Sequence, residues 1–152
     1  MFAKLLVCLD RSSLAEQILP YACEVARRFG SELILLTVVE LPTPQSLEFP
    51  VETDLIETLK RQEARTYLEG IAGPLRESGL TVSQTVVEGS PGHAIVDFAA
   101  ANGIDLIAMD THGRQNIGRL VFGSVTDYVV RHTSIPVLAM KPQSRDFRPD
   151  SG

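Results

Sequence analysis

Chemistry in this chain concentrates between Leu106 and Asp127. Leu106-Ile107-Ala108-Met109 is an apolar run with the length of a buried strand. A polar stretch follows, Asp110-Thr111-His112-Gly113-Arg114, with glycines at 113 and 118 and a second basic residue at Arg119. Helical spacing resumes at Gly123-Ser124-Val125. A strand, a glycine-bearing turn and a helix start together favour an anion. Glycine lets backbone N–H groups converge, and a helix N-terminus adds unpaired donors at the positive end of its dipole. Ser124 supplies a hydroxyl, and Arg114 and Arg119 supply positive charge. The reading is a phosphate cradle, weighed against an ordinary strand-to-helix loop with solvent-facing arginines.

Other candidates are fewer. Asp10 follows the first apolar run and reads as functional if that strand is central in a parallel sheet, because ligands gather at the carboxyl ends of such strands. His112 has the chemistry of a general base, but no nucleophile or orienting carboxylate is evident beside it in sequence, so it reads as a structural or phosphate-proximal histidine. His93 reads as an exposed first-turn residue and His132 as a helix-end dipole partner. Asp97 and Asp127 read as solvated or capping charges. Cys8 and Cys23 lie in apolar contexts and read as buried free thiols, and two cysteines without clustered histidines make no metal site.

The elements that must position these residues follow from periodicity. Lys4–Leu9 and Leu33–Val39 are continuous apolar runs, as expected of parallel strands covered on both faces. Between them a helix is expected from Ser13, with Glu16 at capping-box spacing, to Gly30, kinked by Pro20. A proline-bearing loop, 41–50, is a connector or lid bordering the same crevice. A long helix runs from Val51 to Leu75 and is expected to kink or split at Gly73-Pro74. Thr81–Glu88 looks like an edge-side strand. Ser90 and Pro91 suit the cap and first position of a third helix stopped by Gly103. Asp105–Met109, a helix through Val125, Tyr128, Val129 and His132, and a last strand, Ile135–Met140, complete the order βαβαβαβαβ. This predicts an α/β fold, a single open five-stranded parallel sheet with helices on both faces. The domain spans 1–142, and 143–152 reads as a loose tail. If the first and fourth strands are neighbours, Asp10 and the 110–124 loop face each other across one crevice.

Composition narrows the partners. At 152 residues, 44% hydrophobic and 22% charged, the chain has the balance of a soluble domain with a real core. A net charge of −5 opposes general binding to nucleic acid or anionic membrane. No apolar run reaches membrane-spanning length and no signal peptide is expected, which together with the free thiols points to the cytoplasm.

Thr111-His112-Gly113, nine further residues, Gly123-Ser124-Val125-Thr126 and then Pro136-Val137-Leu138 resemble the universal stress protein family. Asp10 followed by Ser12-Ser13, and Gly89-Ser90-Pro91 before Ile95, resemble that family's opening and its third-helix start. The likeness covers residues 3 to 141. It implies a Rossmann-like fold of the adenine nucleotide alpha hydrolase type. ATP-binding members carry Gly-x2-Gly-x9-Gly-Ser/Thr; Gly113, Gly123 and Ser124 match it, whereas Asp110 stands at the first glycine. By resemblance, Asp10 and the Val38 backbone would hold the adenine and ribose end, Met109 would line the pocket, and Gly113, Arg114, Gly123, Ser124 and Val125 would surround the phosphates, with His112 beside them. Asp110 would repel a phosphate charge about 4 Å away by ~1 kcal/mol in water, accept ribose hydroxyls, or help bind Mg2+. The resemblance also implies a homodimer through Ile135–Met140, whose apolar edge needs cover.

The expected function is an ATP-binding, dimeric stress-response sensor or regulator with slow or no hydrolysis. One alternative keeps the fold and dimer without ATP. A lesser one is an adenylating enzyme, opposed by the missing glycine pair in Asp10-Arg11-Ser12-Ser13-Leu14.

Overall fold

A computed structural model describes residues 1–40, 50–112 and 123–143. Five strands, β1 (Lys4–Cys8), β2 (Glu32–Val39), β3 (Val82–Glu88), β4 (Leu106–Asp110) and β5 (Val137–Met140), form one parallel sheet in the order β3-β2-β1-β4-β5. Four helices join them: α1 (Leu19–Phe29), α2 (Pro50–Glu77), α3 (Pro91–Ala101) and α4 (Ser124–His132). The first and fourth strands are neighbours, with Leu5, Leu6 and Val7 opposite Leu106, Ile107 and Ala108.

Strand side chains alternate between faces, so each apolar run feeds two cores. Leu5, Val7, Leu33, Leu35 and Ala108 pack with Ala22 and Ala26 of α1 and with Leu68 and Ala72 of α2. Leu6, Ile34, Leu36, Ile107 and Met109 pack on the other face with Ile95 and Ala99 of α3 and Val129 of α4. Each fully buried leucine contributes roughly 1.5–3 kcal/mol by leaving water. The expected two-faced α/β sheet is the observed one, and β3 and β5 are its edges.

Several local expectations are corrected. The expected first helix is divided: Ala15–Ile18 form a 3-10 turn, and α1 starts only at Leu19. The turn is held by Ser12, whose Oγ accepts the Ala15 N–H at 3.1 Å. Pro20 therefore lies in the first turn of α1, where an N–H has no helical partner to lose, so the expected internal kink does not arise. Helix α2 continues through Gly73-Pro74 to Glu77 without splitting. Pro74 falls within the last turn, so its missing N–H breaks only the end of the hydrogen-bond ladder, and the Leu80 N–H donates to the Leu75 carbonyl at 3.2 Å to close it. Ser90 occupies the N-cap of α3, but its side chain makes no capping bond there; Pro91 sits in the first turn as expected.

Strand β4 begins one residue later than expected and runs one further, through Asp110, which pairs with Met140. That shift converts Asp110 from a loop residue into the anchored end of a strand. The proline loop and the 143–152 tail fall outside the described residues apart from their margins, as do Gly113, Arg114, Gly118 and Arg119.

Candidate functional site

In an open parallel sheet the crossovers leave in opposite directions where the strand order reverses, and a crevice opens there beyond the carboxyl ends. Here that point is between β1 and β4. A cavity of about 580 Å³ occupies it, within the range of small-molecule sites. Its walls are the ends of β1, β2 and β4, the starts of α3 and α4, and Lys60 of α2.

On the β1 side, Asp10 extends past the strand end with its side chain 40% exposed. Its Oδ1 accepts the Ser12 N–H at 2.9 Å. Arg11 between them has φ +69°, a left-handed conformation that costs a residue with a Cβ about 1–3 kcal/mol. This bend turns the chain from strand to 3-10 turn within two residues. The Thr37 hydroxyl donates to the Leu9 carbonyl at 3.0 Å and fixes β2 beside it.

On the β4 side, Asp110 is buried and its carbonyl accepts the Thr126 hydroxyl at 2.7 Å. The Gly123 N–H donates to the Thr111 carbonyl at 2.7 Å, joining the strand end directly to the helix start. Gly123 is the N-cap of α4, and among the described residues no side chain caps that helix. Its first-turn N–H groups and the exposed Ser124 stand at the cavity wall, the arrangement that receives an anion.

Between the two sides stands His112. Its Nε2 is 3.2 Å from Ser12 Oγ and 3.3 Å from Asp10 Oδ2. Its Nδ1 lies against Asp110 Oδ2, and its own backbone N–H donates to the same oxygen at 3.2 Å. Sequence reading found no partner for this histidine; the fold supplies a hydroxyl and two carboxylates. Asp110 is correspondingly occupied within the protein, its side chain 9% exposed.

Asp10, Val38, Met109, Asp110, His112, Ser124 and Val125 thus all border one cavity, with Gly123 at the adjoining helix cap. Gly113 and Arg114 lie outside the described residues. Residues that sequence reasoning passed over join them. Tyr128 forms a wall, stacked between His93 and His132 at centroid distances of 4.2 and 3.9 Å. His132 also holds the Tyr128 carbonyl through Nδ1 at 2.8 Å, which makes it more than a dipole partner. Gly92 permits this packing, since a Cβ there would meet the Tyr128 ring at 2.7 Å. The available signal was the Gly92-His93 pair immediately after Pro91. The Cys8 thiol lines the cavity, and burial pushes its pKa up to about 12, so it remains a neutral thiol.

Comparison with known proteins places this architecture. The model of the universal stress protein family matches residues 1–141. The chain belongs to that family. Among its relatives, universal stress protein MJ0577 of Methanocaldococcus jannaschii is 30% identical over 155 residues, covering 93% of this chain and 96% of its own. The solved structure of MJ0577 superposes with a TM-score of 0.82 at 29% identity, over 95% of this chain and 99% of its own. A universal stress protein in complex with cAMP superposes at TM-score 0.63 and 24% identity, over 93% of this chain and 98% of its own. The Archaeoglobus fulgidus universal stress protein in complex with dAMP does so at 0.59 and 23%, over 93% of this chain and all (100%) of its own. For this universal stress protein, among the described residues, no helix is long and apolar enough to cross a membrane, and no group of three or more His, Cys, Asp or Glu side chains is placed to hold a metal ion.

Proposed function

We propose that this universal stress protein binds an adenine nucleotide, ATP foremost, in the cavity between β1 and β4, and acts in the cytoplasm as a dimeric stress-response sensor or regulator. The observation that carries this is the convergence of Asp10, Val38, Met109, Ser124 and Val125 on that one cavity, beside the N-terminus of α4. Asp10 and the Val38 backbone suit the ribose and adenine end, and the α4 amides with Ser124 suit the phosphates. Gly113 and Arg114 are assigned to the phosphates by family resemblance alone. Asp110 fits this arrangement because its carboxylate lies against His112 and not bare toward an anion. Mg2+ would enter with the nucleotide, held chiefly by phosphate oxygens. Two universal stress proteins of this fold form complexes with cAMP and dAMP, and at their identities the likeness speaks for the fold.

Hydrolysis is slow or absent in this reading. Among the described residues, the lysine and arginine side chains at the cavity are Lys60, which donates to the Glu40 carbonyl at 3.2 Å, and Arg11, which pairs with Glu63 at 3.3 Å. Neither is a free cation waiting for a transferring phosphoryl group. The dimer rests on β5, which forms a sheet edge.

A second reading, a dimeric interaction protein without ATP, is favoured by one feature: Asp110 occupies the place of the first motif glycine. Calorimetric titration of Mg-ATP into the parent and into Asp110→Gly separates the two. Micromolar binding by the parent is expected, tightened about five-fold in Asp110→Gly if the carboxylate opposes a phosphate by ~1 kcal/mol. Binding by neither protein overturns the nucleotide reading.

A further inference from the structure

We propose that Ser12, His112 and Asp110 form a nucleophilic triad, in which Ser12 Oγ attacks the carbonyl carbon of a carboxylic ester. The geometry has the required sequence of contacts: Ser12 Oγ stands 3.2 Å from His112 Nε2, and His112 Nδ1 lies against Asp110 Oδ2. The roles follow from hydrogen-bond inventory. An ionised carboxylate only accepts; Asp110 lies directly against Nδ1 whereas Asp10 stands 3.3 Å from Nε2, so the ring proton is assigned to Nδ1 and the Nε2 lone pair to Ser12. The Ala15 N–H occupies an acceptor site on Ser12 Oγ at 3.1 Å, leaving the hydroxyl proton to point at Nε2.

The backbone supports the same assignment. Ser12 follows the left-handed Arg11 at a sharp strand-to-helix turn and is half-buried, and its partner His112 lines the cavity. A strained turn that presents a serine beyond a central strand, with chain order Ser, Asp, His, is a constellation found in α/β hydrolases. Asp10 Oδ2, 3.3 Å from Nε2, stabilises the imidazolium that forms during attack. A neutral carbonyl approaches Ser12 without charge repulsion from the half-exposed Asp10.

The step balances without a further reactant except water. Ser12 Oγ bonds to the acyl carbon and its proton passes to His112 Nε2. The ester C–O bond breaks, and His112 returns that proton to the departing alcohol. Water then attacks the acyl-serine, giving a proton to His112. The bond to Oγ breaks, and Ser12 is restored as the carboxylic acid leaves. Ser12 and His112 are the catalytic residues, and Asp110 is a positioning residue. The proposal stands apart from the nucleotide reading, because neither probe labelling nor ester turnover requires a nucleotide.

The test treats the full chain with a fluorophosphonate probe, maps the adduct by mass spectrometry and follows p-nitrophenyl acetate turnover. One adduct per chain on Ser12 is expected, with Ser12→Ala unlabelled and His112→Ala slowed roughly 10²–10⁴-fold. Asp110→Asn, whose amide N–H favours the wrong ring tautomer, slows labelling similarly and alters the pH dependence of its rate. Asp110→Glu recovers part of both. Circular dichroism and Mg-ATP calorimetry on each variant separate a lost fold or nucleotide site from a lost nucleophile. Parent labelling no faster than in Ser12→Ala, an adduct on another residue, or an unaltered pH profile in Asp110→Asn would overturn the proposal.

Discussion

The Ser12 hydroxyl and the His112 imidazole meet at 3.2 Å although 100 positions separate them in the chain. The contact follows from the parallel pairing of β1 with β4, in which Val7 lies opposite Ala108. Each strand then delivers its following residues to the same end of the sheet. A short turn through Arg11 brings Ser12 round, and one residue beyond Asp110 and Thr111 brings His112 to it. This junction, between two strands and two helix starts, is also where the cavity opens.

Thr126 is the internal tie of that junction. Its hydroxyl, 1% exposed, donates to the Asp110 carbonyl. Thr126→Val keeps the shape and removes the donor, so a buried carbonyl is left without it, at a cost of about 1–3 kcal/mol. Urea unfolding monitored by circular dichroism should show a lowered midpoint with an unchanged slope. An unchanged midpoint would mean the bond contributes nothing net.

Gly92 should tolerate no side chain. A Cβ would stand 2.7–3.0 Å from the Cδ1, Cγ and Cβ atoms of Tyr128. The Tyr128 Cβ cannot swing away like a chain end, so α3 and α4 must separate. Gly92→Ala is expected to cost about 1–3 kcal/mol despite alanine's better helix propensity. Thermal unfolding checks this, and a rise in midpoint would show that Tyr128 repacks freely.

Alkaline pH should weaken the fold through Cys8. Burial raises this thiol from 9.0 to about 12 in the folded chain. A group with a raised folded pKa stabilises fully below its unfolded pKa, and that contribution drains away as pH climbs from 9.0 toward about 12. Burial raises Cys23 in the same sense, and Tyr67 is raised by burial and by Glu16. Denaturant midpoints measured across this range should fall, and fall less in Cys8→Ala. Equal slopes in both proteins would remove Cys8 as the cause.

The β5 edge should be covered in solution by a second copy. Size exclusion with light scattering at micromolar concentration is expected to give twice the 16.6 kDa chain mass. A monomer at that concentration ends the dimer proposal.

Much of the fold was legible because its signals are local. Leu33–Val39 has no polar interruption but Thr37, and only a strand with both faces covered accommodates such a run. Gly123-Ser124 marked a helix start because the cap and first turn are specified by adjacent residues. Legibility failed where two local signals competed. Ser13 and Glu16 had capping-box spacing, yet Ser12 took the Ala15 N–H and a 3-10 turn intervened. Pro74 looked like a helix breaker, yet its place in the final turn made the loss small.

The candidate site divided the same way. Asp10 and Asp110 were visible as carboxylates ending apolar runs, and Ser124 as a hydroxyl at a helix start. The partners of His112 were not visible. No spacing in a chain records that residue 12 and residue 112 are neighbours. The seat of Tyr128 on Gly92 was equally hidden, because it depends on how two helices cross over one sheet face.

By itself, then, the sequence determined the five strands, the helices between them, the burial of both sheet faces and membership of the family, because periodicity, capping and motif spacing act over a few residues. Tertiary structure alone decided that β1 lies beside β4, that Asp110 is tied down by Thr126, and that one imidazole faces a serine and two carboxylates. Those relationships join segments far apart in the chain. They exist only once crossover handedness and the filling of two cores have chosen a single strand order.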